Sequence, residues 1–134
     1  MGVEIDHLGI AVRSLDEALG IYAGGLGMEA GARETVQQER VNAVMLPTGA
    51  GGPQIELLEG TDGESVITKF VEKRGPGLHH VALRVDDLAE VTERLKSQGA
   101  TLLNEPRRGA GGHTYVFVHP SSAGGVLLEL IQKK

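Results

Sequence analysis

From Val3 to Val12 the chain is β-branched and apolar, as a strand is. The two-residue period of a strand puts Ile5, His7 and Gly9 on one side and Asp6, Leu8, Ile10 and Val12 on the other. Ser14 then caps a helical stretch from Leu15 to about Ala23. Glu17, three residues on, completes a capping box, and Gly24-Gly25 stops the helix. Met28 to Thr35, Arg40 to Leu46 and Pro53 to Glu59 read as three further strands, punctuated by Pro47 and the Gly49–Gly52 loop. A linker helix is expected from Ser65 to Lys73, ended by Arg74-Gly75-Pro76-Gly77. The order then repeats: strand Leu78–Val85, helix Asp87–Gln98, a short strand around Thr101–Leu103, strand His113–His119 and strand Val126–Gln132.

The repetition is visible in the residues themselves. His7 and His80 are 80 − 7 = 73 apart, and Glu56 and Glu129 are 129 − 56 = 73 apart. The same offset lays Val12 on Val85, Leu15 on Leu88, Glu17 on Glu90 and Leu57 on Leu130. Gly27 meets Gly99 only if one residue is skipped, so the register drifts locally. Two related βαβββ modules, at about residues 3–60 and 77–132, are therefore expected within a single domain spanning residues 1–134, joined by the helix at about 65–73. Two long modules are not the array of short repeats that a solenoid needs. Eight strands and two equivalent helices predict an α+β fold, an eight-stranded, curved mixed sheet around a metal-containing cavity.

Strand parity aims the four matched residues alike. His80 shares a face with Ala82 and Arg84, away from Val81, Leu83 and Val85, just as His7 lies away from the main apolar row. Glu56 opposes Ile55 and Leu57, and Glu129 opposes Leu128 and Leu130. His7, Glu56, His80 and Glu129 are thus the expected metal ligands. Two imidazoles with two carboxylates suit a borderline divalent ion, Co, Zn, Mn, Ni or Fe, and not Ca or Mg, which favour all-oxygen shells.

Composition narrows the rest. With no cysteine, no disulfide framework, thiolate metal site or Cys nucleophile is available. No apolar run approaches the ~20 residues a membrane span requires, and residues 1–6 lack the features of a signal peptide, so a soluble, cytoplasmic protein is expected. A net charge of −5 and 3% aromatic residues argue against a nucleic-acid partner, which needs a basic stripe and stacking rings.

The segments I-D-H-L-G-I-A-V, Q-I-E-L-L-E, G-L-H-H-V-A-L-R-V-D-D and H-P-x-x-x-G-G-V-L-L-E-L resemble the vicinal oxygen chelate (glyoxalase/bleomycin resistance/dioxygenase) superfamily, and within it the methylmalonyl-CoA epimerases, from Val3 to Gln132. That resemblance implies a metal-dependent epimerase, or racemase, interconverting the R and S forms of methylmalonyl-CoA by α-proton abstraction through a metal-stabilised enolate. It also implies an acyl-CoA substrate and a homodimer. Glu129 is the first choice of base, since a carboxylate in a partly dry cavity gains basicity. Glu56 is its partner for the opposite face. In relatives the second base can instead be a carboxylate on the preceding strand, a position that Asn42 takes here.

Gly111, Gly112 and His113, in the glycine-rich loop after Arg108, are candidates to bind the substrate's carboxylate through backbone N–H groups. His79, on the apolar side of its strand, reads as a packed structural residue. The alternatives are a glyoxalase I-type lactoylglutathione lyase and a non-catalytic antibiotic-binding member of the superfamily. Against the first stands H-P-S-S-A-G-G at His119–Gly125, where glyoxalase I relatives carry D-P-D-G-Y. Against the second stands the presence of His and Glu in both halves.

Overall fold

The structure is a computed structural model that describes residues 2–109 and 112–132. Each α-helix among the described residues begins at a side-chain cap. Ser14 Oγ accepts from Glu17 N (3.2 Å) and opens α1 (Leu15–Leu19), and Asp87 Oδ1 accepts from Glu90 N (3.1 Å) to open α3 (Leu88–Ser97). Between them, Ser65 Oγ accepts from Ile67 N (3.2 Å) at the start of α2 (Val66–Arg74). These contacts satisfy N–H groups that a helix's first turn cannot. No helix among the described residues is long and apolar enough to cross a membrane.

The strands are β1 (Glu4–Ala11), β2 (Glu34–Val36), β3 (Val41–Pro47), β4 (Gln54–Gly60), β5 (Gly77–Val85), β6 (Arg107–Arg108), β7 (Thr114–Val118) and β8 (Leu127–Gln132). They form one mixed sheet in the order β2-β3-β4-β1-β5-β8-β7-β6. Pairs β1/β4 and β5/β8 are parallel, and the hairpins β3/β4 and β7/β8 are antiparallel. The fold class is therefore α+β with βαβββ order in each half, as the hydrophobic pattern predicts.

Two compact units make up the chain, one of residues 7–79 and the other of residues 1–6 with 80–134. In the first, Leu15, Val44, Leu46 and Leu57 pack with Ile10, Val12 and Ile55 under α1. The opposite face of the same strands carries Ala11, Val41 and Leu58, and α2 covers it through Ile67 and Val71. Gly60 allows that close approach, because a Cβ there would run into Thr68 Oγ1 and the Ser65 side chain. In the second unit Val85, Leu88, Val116, Val118 and Leu130 form the core against α3. The position matching Ala11 is Arg84 (84 − 11 = 73), and the N-terminal segment meets it: Arg84 Nη2 lies 3.2 Å from Glu4 Oε1, and Nε 3.5 Å from Asp6 Oδ1.

Three elements differ from the sequence reading. Past Leu19 the first helix continues as a π-helix, Gly20–Gly25, so the helical stretch ends at the Gly24-Gly25 pair but with a widened last turn in place of an α-helical one. Of the expected Met28–Thr35 strand only Glu34 and Thr35 join the ladder, in β2. Gly31 N donating to Met45 O (2.8 Å) ties the rest of the glycine- and alanine-rich segment to β3. At Thr101–Leu103 there is a single bridge, Leu102 to Val118. Asn104 does a neighbouring strand's work there: its Oδ1 accepts from Phe117 N (2.8 Å) and its Nδ2 donates to Tyr115 O (3.3 Å).

Candidate metal centre

The duplication is preserved down to hydrogen bonds. Leu15 N donates to Glu59 Oε2 (3.1 Å), and Leu88 N donates to Gln132 Oε1 (2.7 Å); both donors and both acceptors are 73 residues apart (88 − 15 and 132 − 59). Each contact ties the first turn of a helix to the last strand of its module. The parallel pairs share a register too. His7 aligns with Gln54 and Gly9 with Glu56 in one unit, and His80 aligns with Leu127 and Ala82 with Glu129 in the other.

That register builds a His/Glu pair in each unit. Glu56 and Glu129 face a glycine and an alanine across the parallel pair, so no bulky side chain separates the carboxylate from the histidine two residues earlier. His7 Nε2 lies 3.3 Å from Glu56 Oε1, and His80 Nε2 lies 3.6 Å from Glu129 Oε1. Both histidines are buried, at 7% and 6% exposure. Within its own unit, His7 with Glu56 offers one nitrogen and one carboxylate oxygen that could hold a metal ion. Two ligands held about 2.1 Å from one ion sit roughly 3.0–3.4 Å apart at right or tetrahedral angles; the His7/Glu56 pair has that spacing and the His80/Glu129 pair is slightly wider. Nitrogen with carboxylate oxygen, and no sulfur, is a donor set for a borderline divalent ion.

Other expected site residues fall elsewhere. Asn42 is on the wrong face for a second base: it pairs in register with Glu59, donates to Glu59 Oε1 (3.2 Å) and accepts from Thr35 Oγ1 (2.6 Å) beside the α1 core. On the Glu56 face β3 presents Val41, Ala43 and Met45, with Met45 directly across from Glu56. His79 packs edge-on against Phe70 at 5.0 Å, in keeping with a structural role. His119, from the H-P motif, accepts from Ser121 N through Nδ1 (3.0 Å) and so opens the short 3₁₀ turn Pro120–Ser122.

In the glycine-rich loop, Gly109 N donates to His113 O (2.8 Å) and Gly112 N to Gly109 O (3.1 Å), which closes the turn between β6 and β7. Gly111 lies outside the described residues. A neighbour of Glu129 that the sequence reading did not single out is Phe117, its cross-strand partner on β7. The scarcity of aromatics, with two Phe and two Tyr in the chain, was the available signal.

Comparison with known proteins places the chain in a family. A sequence profile of the Glyoxalase/Bleomycin resistance protein/Dioxygenase superfamily matches residues 6–117. Among relatives, "Uncharacterized protein YqjC" of Bacillus subtilis is 37% identical over 97% of this chain and 92% of its own length. An "Ethylmalonyl-CoA/methylmalonyl-CoA epimerase" of Cereibacter sphaeroides is 35% identical over 96% of each. Methylmalonyl-CoA epimerase from Mycobacterium tuberculosis superposes with a TM-score of 0.86 at 41% identity, covering 98% of this chain and 88% of that one. A Streptomyces coelicolor methylmalonyl-CoA epimerase variant in complex with 2-nitronate-propionyl-CoA gives 0.84 at 35%, covering 97% and 96%. The chain belongs to the Glyoxalase/Bleomycin resistance protein/Dioxygenase superfamily.

Proposed function

We propose that this chain is a metal-dependent epimerase that interconverts the R and S forms of methylmalonyl-CoA. The observation that carries the reading is the duplicated His/Glu pair, held in the same register in both modules. Relatives and structural neighbours at 35–41% identity that are named as epimerases of this substrate support it. His7, Glu56, His80 and Glu129 would hold one divalent ion, Co, Zn, Mn, Ni or Fe. When bound, such an ion supplies Lewis-acid stabilisation of negative charge on the thioester oxygen.

The proton work falls to the carboxylates. Glu129 takes the hydrogen from the carbon between thioester and carboxylate, and the C–H electron pair passes toward the thioester oxygen. Glu56 returns a proton to the opposite face of that carbon, and exchange with water restores both groups. Each carboxylate would hold the ion through one oxygen, which leaves its other oxygen to move the proton. Ala43 and Met45 leave β3 without a carboxylate on this face, which is why the second role goes to Glu56. The loop at 109–113, with Gly112 and His113, is assigned to contact with the substrate's carboxylate. A cytoplasmic homodimer is proposed with this activity.

Exchange at the α-carbon of methylmalonyl-CoA in D₂O tests the reading, followed by mass spectrometry before and after chelation. Deuterium should enter with the metal-loaded protein, stop on chelation and resume when the ion is restored. Absence of any metal-dependent exchange would remove the epimerase assignment.

A further inference from the structure

We infer that Tyr115 and Phe117 bound the branch carried by the reacting carbon, and so set how large a 2-substituent the chain accepts; the inference rests on the thioester reading above. Val116 and Val118 use the other face of β7 for the α3 core. Tyr115 and Phe117 are left, half-buried, on the Glu129 face. Phe117 is directly across from Glu129, and Tyr115 directly across from Ile131. Their rings meet edge to face at 5.7 Å. Half of the chain's four Phe and Tyr residues are thus spent on one short strip beside one carboxylate.

The strip is held from two sides. Asn104 bonds the β7 backbone at Tyr115 O and Phe117 N, between the β6 pairing at Tyr115 and the Leu102–Val118 bridge. Gly109 lies against the Tyr115 ring so closely that a Cβ there would come within 2.8 Å of Cε1. A fixed aromatic wall beside the base contacts an aliphatic branch but does not yield to a longer one. The first module has no such wall. The residues 72 positions earlier are Ala43 and Met45 (115 − 72 and 117 − 72), one small and one flexible.

The experiment compares α-exchange of methylmalonyl-CoA and ethylmalonyl-CoA by wild type, Phe117→Leu, the milder Phe117→Met and Tyr115→Leu. Thermal melts are recorded for each. Wild type should prefer the methyl branch. In folded variants the ethyl-to-methyl ratio of kcat/KM should rise about tenfold or more, the discrimination one methylene typically carries. An unchanged ratio in variants that melt like wild type would overturn the inference and leave the epimerase reading standing. Wild type that exchanges neither thioester would overturn both.

Discussion

Glu129 has Ala82 on one flank and Phe117 on the other, one small and one aromatic. Its counterpart Glu56 sits between Gly9 and Met45. At this scale Glu129→Gln is the sharpest substitution. It keeps a carbonyl oxygen for the ion but removes the base, and turnover should fall by at least about a hundredfold with the fold retained. Rates of α-exchange and circular dichroism check it; near-normal exchange would show that another group takes the proton. His80→Ala should act differently, lowering metal content in the purified protein while leaving the secondary structure in place.

The face that each donor occupies was legible from the sequence because parity in a strand follows from backbone geometry alone. The histidine and glutamate pairs share a face in the structure as that parity requires. Asn42 was not placed correctly, because which residue of β3 meets Glu56 depends on hairpin register. That register differs by one residue between the modules. Met45 opposes Glu56 while Phe117 opposes Glu129, an offset of 117 − 45 = 72 against 129 − 56 = 73.

At the scale of elements, the drift has a visible source. From Tyr22 to Met28 there are 28 − 22 = 6 positions, and from Leu95 to Ala100 there are 100 − 95 = 5; in each case the later residue's N–H donates to the earlier one's carbonyl, at 3.1 and 3.0 Å. The extra residue of the first module is absorbed by the π-helix Gly20–Gly25, where Leu26 N donates to Ile21 O (2.9 Å). A glycine pair read as a stop signal is thus the exposed end of a widened turn. Deleting Gly24 should give the first module the spacing of the second, leaving a folded protein whose melting temperature stays within several degrees of wild type. Loss of cooperative melting would show that the widened turn is required for folding.

The Ser14 cap was legible in the sequence, and Ser65 and Asp87, read there only as the first residues of their helices, accept from the first turn in the same way. Ser65 is the most buried of these, at 1% exposure, so Ser65→Ala should cost about 0.5–2 kcal/mol, read as a lower melting temperature. A melt unchanged by Ser65→Ala would mean that the α2 docking contacts alone fix that helix.

For the whole molecule, the repeat explains why a short chain carries two imidazoles and two carboxylates at matched positions. Each βαβββ unit carries one His/Glu pair, His7 with Glu56 and His80 with Glu129. The copies have since diverged where they are not matched: α2 covers Ala11 in one, whereas Glu4 and Asp6 meet Arg84 in the other. Such features outside the repeat were not legible, because they depend on which segment of chain covers a face, and periodicity carries no information about that. If an ion binds the folded chain, adding it at about a hundred times its Kd should stabilise by roughly 2.7 kcal/mol. A thermal shift on titrating Co or Zn, absent in His7→Ala, reads that coupling.

Isothermal titration of the metal-free protein with a divalent ion tests the shared site most directly. One ion per chain is predicted for wild type, with binding lost in His7→Ala and in His80→Ala alike, because in the proposed site each module would supply part of the donor set. Two ions per chain, or a variant of either histidine that still binds its ion with wild-type affinity, would contradict it.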